Sequence, residues 1–298
     1  TVRVSPTSGT ILQTRNEGSI ENKGLELTLT QDILRSKDFN WSVTANYSFN
    51  RGKVLYLPDD VIEITGTQYG DIFPTAYLNG STTAISGKDY ERTPDGQIIC
   101  NEQGYPVISA IKNNLIGNRE PDWLLGLGSN FSWKDLSVSF LFDGRMGGDV
   151  VNVTRRGLNG NGMENLLTKY RSHEVVIKGV VKQADGTYVP NTTPVIVDSN
   201  FITNYYNAVS SNFIEDGSYI RLSYVTLGYD LSRLLPKKCP VKGLKVSATG
   251  RNLFLLTKYT GSDPQILAGT GGGTGSAGID NYSVPTTRSF NFSLSATF

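Results

Sequence analysis

The sequence has one histidine, two cysteines and two methionines in 298 residues. With His173 alone, a histidine dyad or a histidine-based metal site is excluded, and His173 reads as a lone surface residue. Cys100 and Cys239 stand far apart without metal-type spacing. Charge bias is also missing: 28 Lys and Arg against 27 Asp and Glu leave a net +1. That balance gives no argument for nucleic acid or for an anionic membrane surface. No window approaches the 18 or more apolar residues of a membrane helix. No basic-then-apolar leader stands at Thr1, and the start reads as an internal position. Hydrophobic content is 38%, low for a packed interior, whereas Gly (32) and Tyr (15) are plentiful.

What is present is alternation. Side chains point to opposite faces of a strand with period two. In Arg288–Phe298, residues Phe290, Phe292, Leu294, Ala296 and Phe298 share one face, and Asn291, Ser293, Ser295 and Thr297 the other. Leu25, Leu27 and Leu29 repeat the pattern, as do Trp41, Val43, Ala45, Tyr47 and Phe49. Trp123, Leu125, Leu127, Phe131 and Trp133 form another such face, and Leu136, Val138, Phe140 and Phe142 the next. The last two are Tyr219, Val225, Leu227, Tyr229 and Leu231, and then Leu244, Val246 and Ala248. Seven strands are predicted, most of about 10 residues, the length a tilted strand needs to cross a bilayer. Aromatics sit near the ends of several apolar faces, as at a headgroup layer. In the Tyr219 strand, Tyr219, Arg221 and Val225 have the same parity, so a bulge or a rim position is expected there.

The connections alternate in length. Residues 31–40, 134–135 and 232–243 are short; 51–122, 146–218 and 255–287 are long excursions, far beyond ordinary loops. An outer-membrane barrel alternates short periplasmic turns with long outer loops in this way. If the chain ends in the periplasm, every short turn falls inside, every long loop outside, and residues 1–23 form the tail of an outer loop. An open edge in lipid leaves backbone groups unpaired, and bacterial barrels have even strand numbers. The seven strands are therefore expected to be part of a larger wall. Cys100 then lies outside and Cys239 in a periplasmic turn, so no disulfide joins them. Within the loops, Asp95-Gly96 and Asp185-Gly186 suggest small hairpins. The Gly-rich stretch 269–278 lacks the Lys-Ser/Thr ending of a phosphate loop.

Five segments, in order, carry a resemblance: NEGSIENKGLEL (16–27), IGNREPDW (116–123), NFIEDGSYIRLSYVTLGY (212–229), GRNLFLLTKYTGSDPQ (250–265) and RSFNFSLSATF (288–298). Together they resemble the C-terminal region of SusC/RagA-type TonB-dependent transporters of the Bacteroidetes outer membrane. The resemblance implies an all-β, transmembrane antiparallel barrel of 22 strands, of which residues 1–298 are the C-terminal part. It also implies an N-terminal plug, a TonB-contacting segment and a SusD-like surface lipoprotein as lid. The final aromatic would be the signal read by the assembly machinery. The implied activity is import of an oligosaccharide, with a peptide as the alternative; a surface all-β binding module is the rival class. No catalytic, metal or cofactor group is expected. Loop carboxylate pairs such as Asp59-Asp60 and Glu215-Asp216 look like solvated or turn residues rather than a glycosidase pair.

Sugars are held by aromatic faces and polar hydrogen bonds, which marks Tyr69, Asp71, Tyr77, Asn79, Arg155, Arg156, Tyr205 and Tyr206 as candidate substrate contacts. The rival reading is that they pack the loops on each other or on the lid. Arg221 is expected to pair with Glu215 or Asp216 at the loop base, and Arg251 to point into the lumen.

Overall fold

The computed structural model describes residues 2, 3, 7, 9, 12–13, 18–57, 61–63, 69–164, 168–236, 239–265 and 278–298. Asp59-Asp60 and residues 269–277 of the Gly-rich stretch lie outside them.

Seven strands form one antiparallel meander: β1 Ser19–Arg35, β2 Phe39–Tyr56, β3 Trp123–Trp133, β4 Leu136–Met146, β5 Tyr219–Asp230, β6 Gly243–Thr257 and β7 Ser289–Thr297. Each pairs with its neighbour in sequence, in the order β7-β6-β5-β4-β3-β2-β1. No described helix is long and apolar enough to cross a membrane, which leaves strands open as spans.

The register makes one face continuously apolar. Leu34, Trp41, Phe131, Val138, Leu227, Ala248 and Phe292 line up across all seven strands. Two levels away, Leu29, Ala45, Leu127, Phe142, Leu222 and Phe254 do the same. The opposite face has a row of Asp32, Ser42, Asn130, Ser139, Thr226, Thr249 and Asn291. Thr226 and Thr249 hydrogen bond there at 2.8 Å. A slip of one residue would exchange the faces of a strand, so the two-faced pattern itself fixes the pairing. On the apolar face, cross-strand aromatics add to it: Trp41 stacks on Phe131 with centroids 5.4 Å apart.

Two details differ from the sequence expectation. First, β1 and β2 run well past their apolar cores, pairing Glu21 with Lys53 and Lys23 with Arg51. These ends carry the charges on one face and Asn22 opposite Gly52 on the other, so apolar alternation could not reveal them, and β1 begins at Ser19, inside the span assigned to a loop tail. Second, Tyr219 does not share a face with Val225, Leu227 and Tyr229. The register shifts between Leu222 and Tyr224. This bulge inverts parity, putting Tyr219 and Arg221 on the polar face and Ile220 and Leu222 on the apolar one. Leu231 falls just beyond β5.

The packed core lies in the excursions rather than in the wall. Among the described residues, every buried hydrophobic side chain except Val54 and Tyr219 is outside the seven strands, while Leu29, Leu227, Phe254 and Phe292 are at least half exposed. Ile72 and Ile85 from the first excursion, Val151 and Val153 from the second, and Ile279 from the third form one buried cluster. Strand pairing also fuses the excursions: Ile99-Cys100 runs parallel to Val180-Val181, and Val151-Asn152 parallel to Ile279-Asp280. The hairpins at Asp95-Gly96 and Asp185-Gly186 are present, with positive φ at Gly96 and Gly186 and closing bonds from Thr93 to Gln97 and from Gln183 to Thr187. Both cysteines are free, Cys100 buried and Cys239 half-buried.

The chain leaves β4 through Gly147 and Gly148, at φ 71° and 79°. Gly148 accepts a hydrogen bond from the Gly217 amide at 2.9 Å, and a Cβ on Gly148 would stand 2.7 Å from the Arg119 carbonyl oxygen. Left-handed backbone and backbone contact together exclude a side chain. We expect Gly148→Ala to cost about 1–3 kcal/mol, read as a lower thermal midpoint of the detergent-solubilised protein; an unchanged midpoint would refute the close approach.

Candidate functional site

The excursions fold back over the polar face. β5 supplies Arg221, whose guanidinium meets Asp263 of the third excursion at 2.6 Å and lies 5.2 Å from the Tyr219 ring centroid. Both side chains are buried, at 6% and 1% exposure. Asp263 also accepts from the Gln265 amide (2.9 Å) and from Thr286 Oγ1 (2.5 Å). The two ends of that excursion are thereby tied to one wall arginine. This corrects the expected partner of Arg221. Glu215 is engaged elsewhere, accepting from Arg155 (3.1 Å), Asn152 (3.1 Å) and Thr260 (2.8 Å). Asp216 caps its own turn, accepting from the Ser218 amide at 2.9 Å. Sequence proximity favoured Glu215 and Asp216; Asp263 lies 42 residues from Arg221 and no local pattern marks it.

Five of the eight candidate loop residues meet at one junction between the first two excursions. Here a short helix, α1 (Val153–Gly160), is capped by Asn152, which accepts from the Arg155 amide at 2.8 Å. The cap presents Arg155 and Arg156 from the first turn. Arg156 pairs with Asp71 at 2.7 Å and donates to the Asn207 carbonyl at 3.1 Å. Arg155 pairs with Glu215 and donates to Tyr206 Oη at 3.0 Å. Both guanidinium groups lie 5.9 Å from the Phe213 ring centroid. Tyr205 stacks on Tyr105 with centroids 4.4 Å apart. Tyr69 packs against the buried Ile72 cluster. Tyr77 and Asn79 lie apart from this junction: Tyr77 Oη donates to the Asn113 carbonyl, and Asn79 takes a turn at φ 61°.

Burial acts to raise the Asp71 carboxyl, but the bonds from Arg156 and Ser210 and the Arg156 charge outweigh it, and the group titrates below its usual value. Burial pushes Tyr90 up to about 12, and burial with the Asp280 carboxylate raises Tyr259 as well, so both act as neutral donors. Tyr259 donates to Asp280 at 2.6 Å, and Thr154 donates to the same carboxylate at 3.1 Å. Asp263 and Asp280 are thus hubs that sequence reasoning missed, and Glu215, expected to be a solvated or turn residue, is a third, with a largely buried side chain paired to Arg155. A carboxylate depressed by its partners contributes stability above its unfolded pKa and loses that contribution as pH falls through the folded value. Backbone amides of residues 69–72 and 207–213 should therefore show high protection, relative to their intrinsic exchange rates, at neutral pH and lose it below about pH 4. Asp71→Asn should bring the lower protection to neutral pH; equal protection in both proteins would refute the Arg156–Asp71 tie.

Beneath the third excursion, the polar face forms a groove of about 580 Å³, lined among others by Thr28, Asn46, Asp143, Arg221 and Gln265.

No protein-family model matches the chain. It is 26% identical to TonB-dependent receptor P3 of Formosa agariphila over 98% of its own length and 30% of that receptor's. It is 25% identical to TonB-dependent receptor SusC of Bacteroides thetaiotaomicron over 96% of its length and 27% of SusC. The chain is homologous to TonB-dependent receptors. It spans about three tenths of the length of these relatives. Among solved structures it superposes on the RagAB peptide importer in the open-open state with a TM-score of 0.69, at 21% identity, covering all of this chain and 31% of that one. The closed-closed state gives 0.65. The seven-stranded wall with its folded excursions is thus part of the TonB-dependent receptor barrel fold.

Proposed function

We propose that the chain is the C-terminal part of an outer-membrane, TonB-dependent nutrient importer. The observation that carries this is the register-locked, seven-strand apolar face, exposed or half-exposed in every row while the core is packed in the loops. Such a face suits lipid, and the opposite polar face suits an aqueous lumen. Closed walls leave no edge in lipid, so β1 and β7 would pair with strands elsewhere in the protein, and β7 would end on the periplasmic side. TonB would act through regions beyond this chain, and a SusD-like lipoprotein would cover the excursions.

The substrate we propose is an oligosaccharide. Of the eight loop candidates, Tyr205 on its stack with Tyr105 would offer a ring face to sugar, and Asp71, Arg155, Arg156 and Tyr206 would hold the loop surface that presents it. Tyr69, Tyr77 and Asn79 would shape the same mouth. The likeness to the RagAB peptide importer favours a peptide as the second reading. The test is extraction and uptake with the full-length protein in its host: it should require detergent for release, and its deletion should abolish uptake of oligosaccharides while sparing monosaccharides. Release into buffer alone would sink the membrane assignment, and loss of peptide uptake alone would move the substrate to the second reading.

A further inference from the structure

We infer that the groove between the polar face and the third excursion is a binding subsite for a neutral oligosaccharide segment, and that it rejects anionic ones. This rests on the importer reading above. Its volume of about 580 Å³ lies within the range of ligand pockets, about 300–1,000 Å³. The charge balance is set by the fold. Arg221 is matched by Asp263 at 2.6 Å. Asp143 faces Arg221 in register from β4, and Glu26 enters the lining from β1. Two carboxylates therefore remain in excess of the one guanidinium lining the groove. An arriving uronate, sulfate or acidic peptide would meet like charge in a concave site, where fields are focused.

The hydrogen-bonding inventory points the same way. Thr28, Asn46, Ser48 and Ser223 line the groove, and none of their side chains bonds a protein partner among the described residues. Asn252 is spent, since its amide donates to the Thr287 carbonyl at 3.0 Å. Together with Asp143, Glu26 and Gln265 the set is rich in acceptors. A sugar ring brings a hydroxyl, donor and acceptor at once, at nearly every carbon, and so offers these acceptors more donors per unit length than a peptide backbone with one N–H per residue. The bulge in β5 belongs to the site: by inverting parity it brings Tyr219 and Arg221 to this face and leaves Ser223 at the groove wall.

The experiment uses the detergent-purified full-length receptor. Mixed plant oligosaccharides are separated by anion exchange into neutral and acidic pools, and a tryptic peptide digest serves as a third. Compounds retained by the receptor are identified by mass spectrometry. Retention from the neutral pool is expected. Asn46→Leu should lower it about tenfold, the effect of one lost hydrogen bond to a polar ligand. Asp143→Asn should weaken neutral binding less and admit acidic oligosaccharides, a change of selectivity that a merely structural role would not produce. Wild-type gel migration before and after heating shows that each variant is folded. Retention from the acidic or peptide pool, from no pool, or unaltered by both substitutions overturns the inference. Failure of the importer reading is separate: the receptor would then leave the cell envelope without detergent.

Discussion

Asp263→Ala should destabilise the docked third excursion by about 3–5 kcal/mol, the cost of removing one partner from a buried ion pair. The size follows from what is left behind. Arg221 is 6% exposed, and its Nε already has no acceptor, so loss of Asp263 leaves a desolvated guanidinium with Asp143 opposite it in register on the neighbouring strand. Thr286 Oγ1 and the Gln265 amide lose their acceptor in the same step. Asp263→Asn should cost less, because an amide oxygen in the Oδ1 place still accepts from the Gln265 amide and the NH2 in the Oδ2 place can donate to Thr286 Oγ1. Replacing both charges, as in Arg221→Met with Asp263→Leu, should come closer to neutral, since two apolar groups of similar size leave nothing unpaired. The measurement is limited proteolysis of the full-length receptor in outer-membrane vesicles. Cleavage between 258 and 288 should accelerate by more than tenfold in Asp263→Ala and by much less in the double variant. Equal protection of Asp263→Ala and wild type would show that the pair does not hold this excursion.

The wall was legible because its physics is local. Each apolar face is written at period two, so all seven strands, their pairing order and the long–short alternation of connections follow from residues close in sequence. The β5 bulge was legible as a conflict: Tyr219, Arg221 and Val225 shared a parity that no regular strand could satisfy. The strand ends were hidden, because Glu21 to Lys23 and Arg51 to Lys53 are polar on both faces. The packing of the excursions was hidden more deeply. Its core joins Ile85 to Val151 to Ile279, and its ionic ties join Arg156 to Asp71 and Arg221 to Asp263. Nothing near Asp263 in sequence announces Arg221. The aromatic and charged loop residues chosen as ligand contacts carry the composition of a binding surface, and the same composition makes the struts that cross-link loops, which is what most of them do here.

Leu127→Arg should cost about 2–4 kcal/mol, the value for a charge on the lipid face near the bilayer midplane, whereas Asn130→Arg on the same strand should be nearly neutral. Leu127 lies between Ala45 and Phe142 in the apolar row, and Asn130 between Ser42 and Ser139 in the polar one. Three residues apart on β3, they test one strand from its two sides. A soluble sheet with a second layer packed on its apolar face would also punish Leu127→Arg, so the decisive comparison is with depth. Trp133 shares the face of Leu127 but sits at the end of β3 beside the two-residue turn, 56% exposed. In a bilayer the cost of Arg falls to about 0–1 kcal/mol near the interface, because the guanidinium reaches water and phosphate. Trp133→Arg should therefore assemble nearly as well as wild type, and Leu127→Arg poorly. The assembled fraction is read from heat-modifiable migration of the full-length receptor, and refolding into vesicles of increasing thickness gives the free energies. Thicker bilayers should widen the gap between the two positions. A gap that ignores bilayer thickness would mean that protein, and not lipid, covers this face.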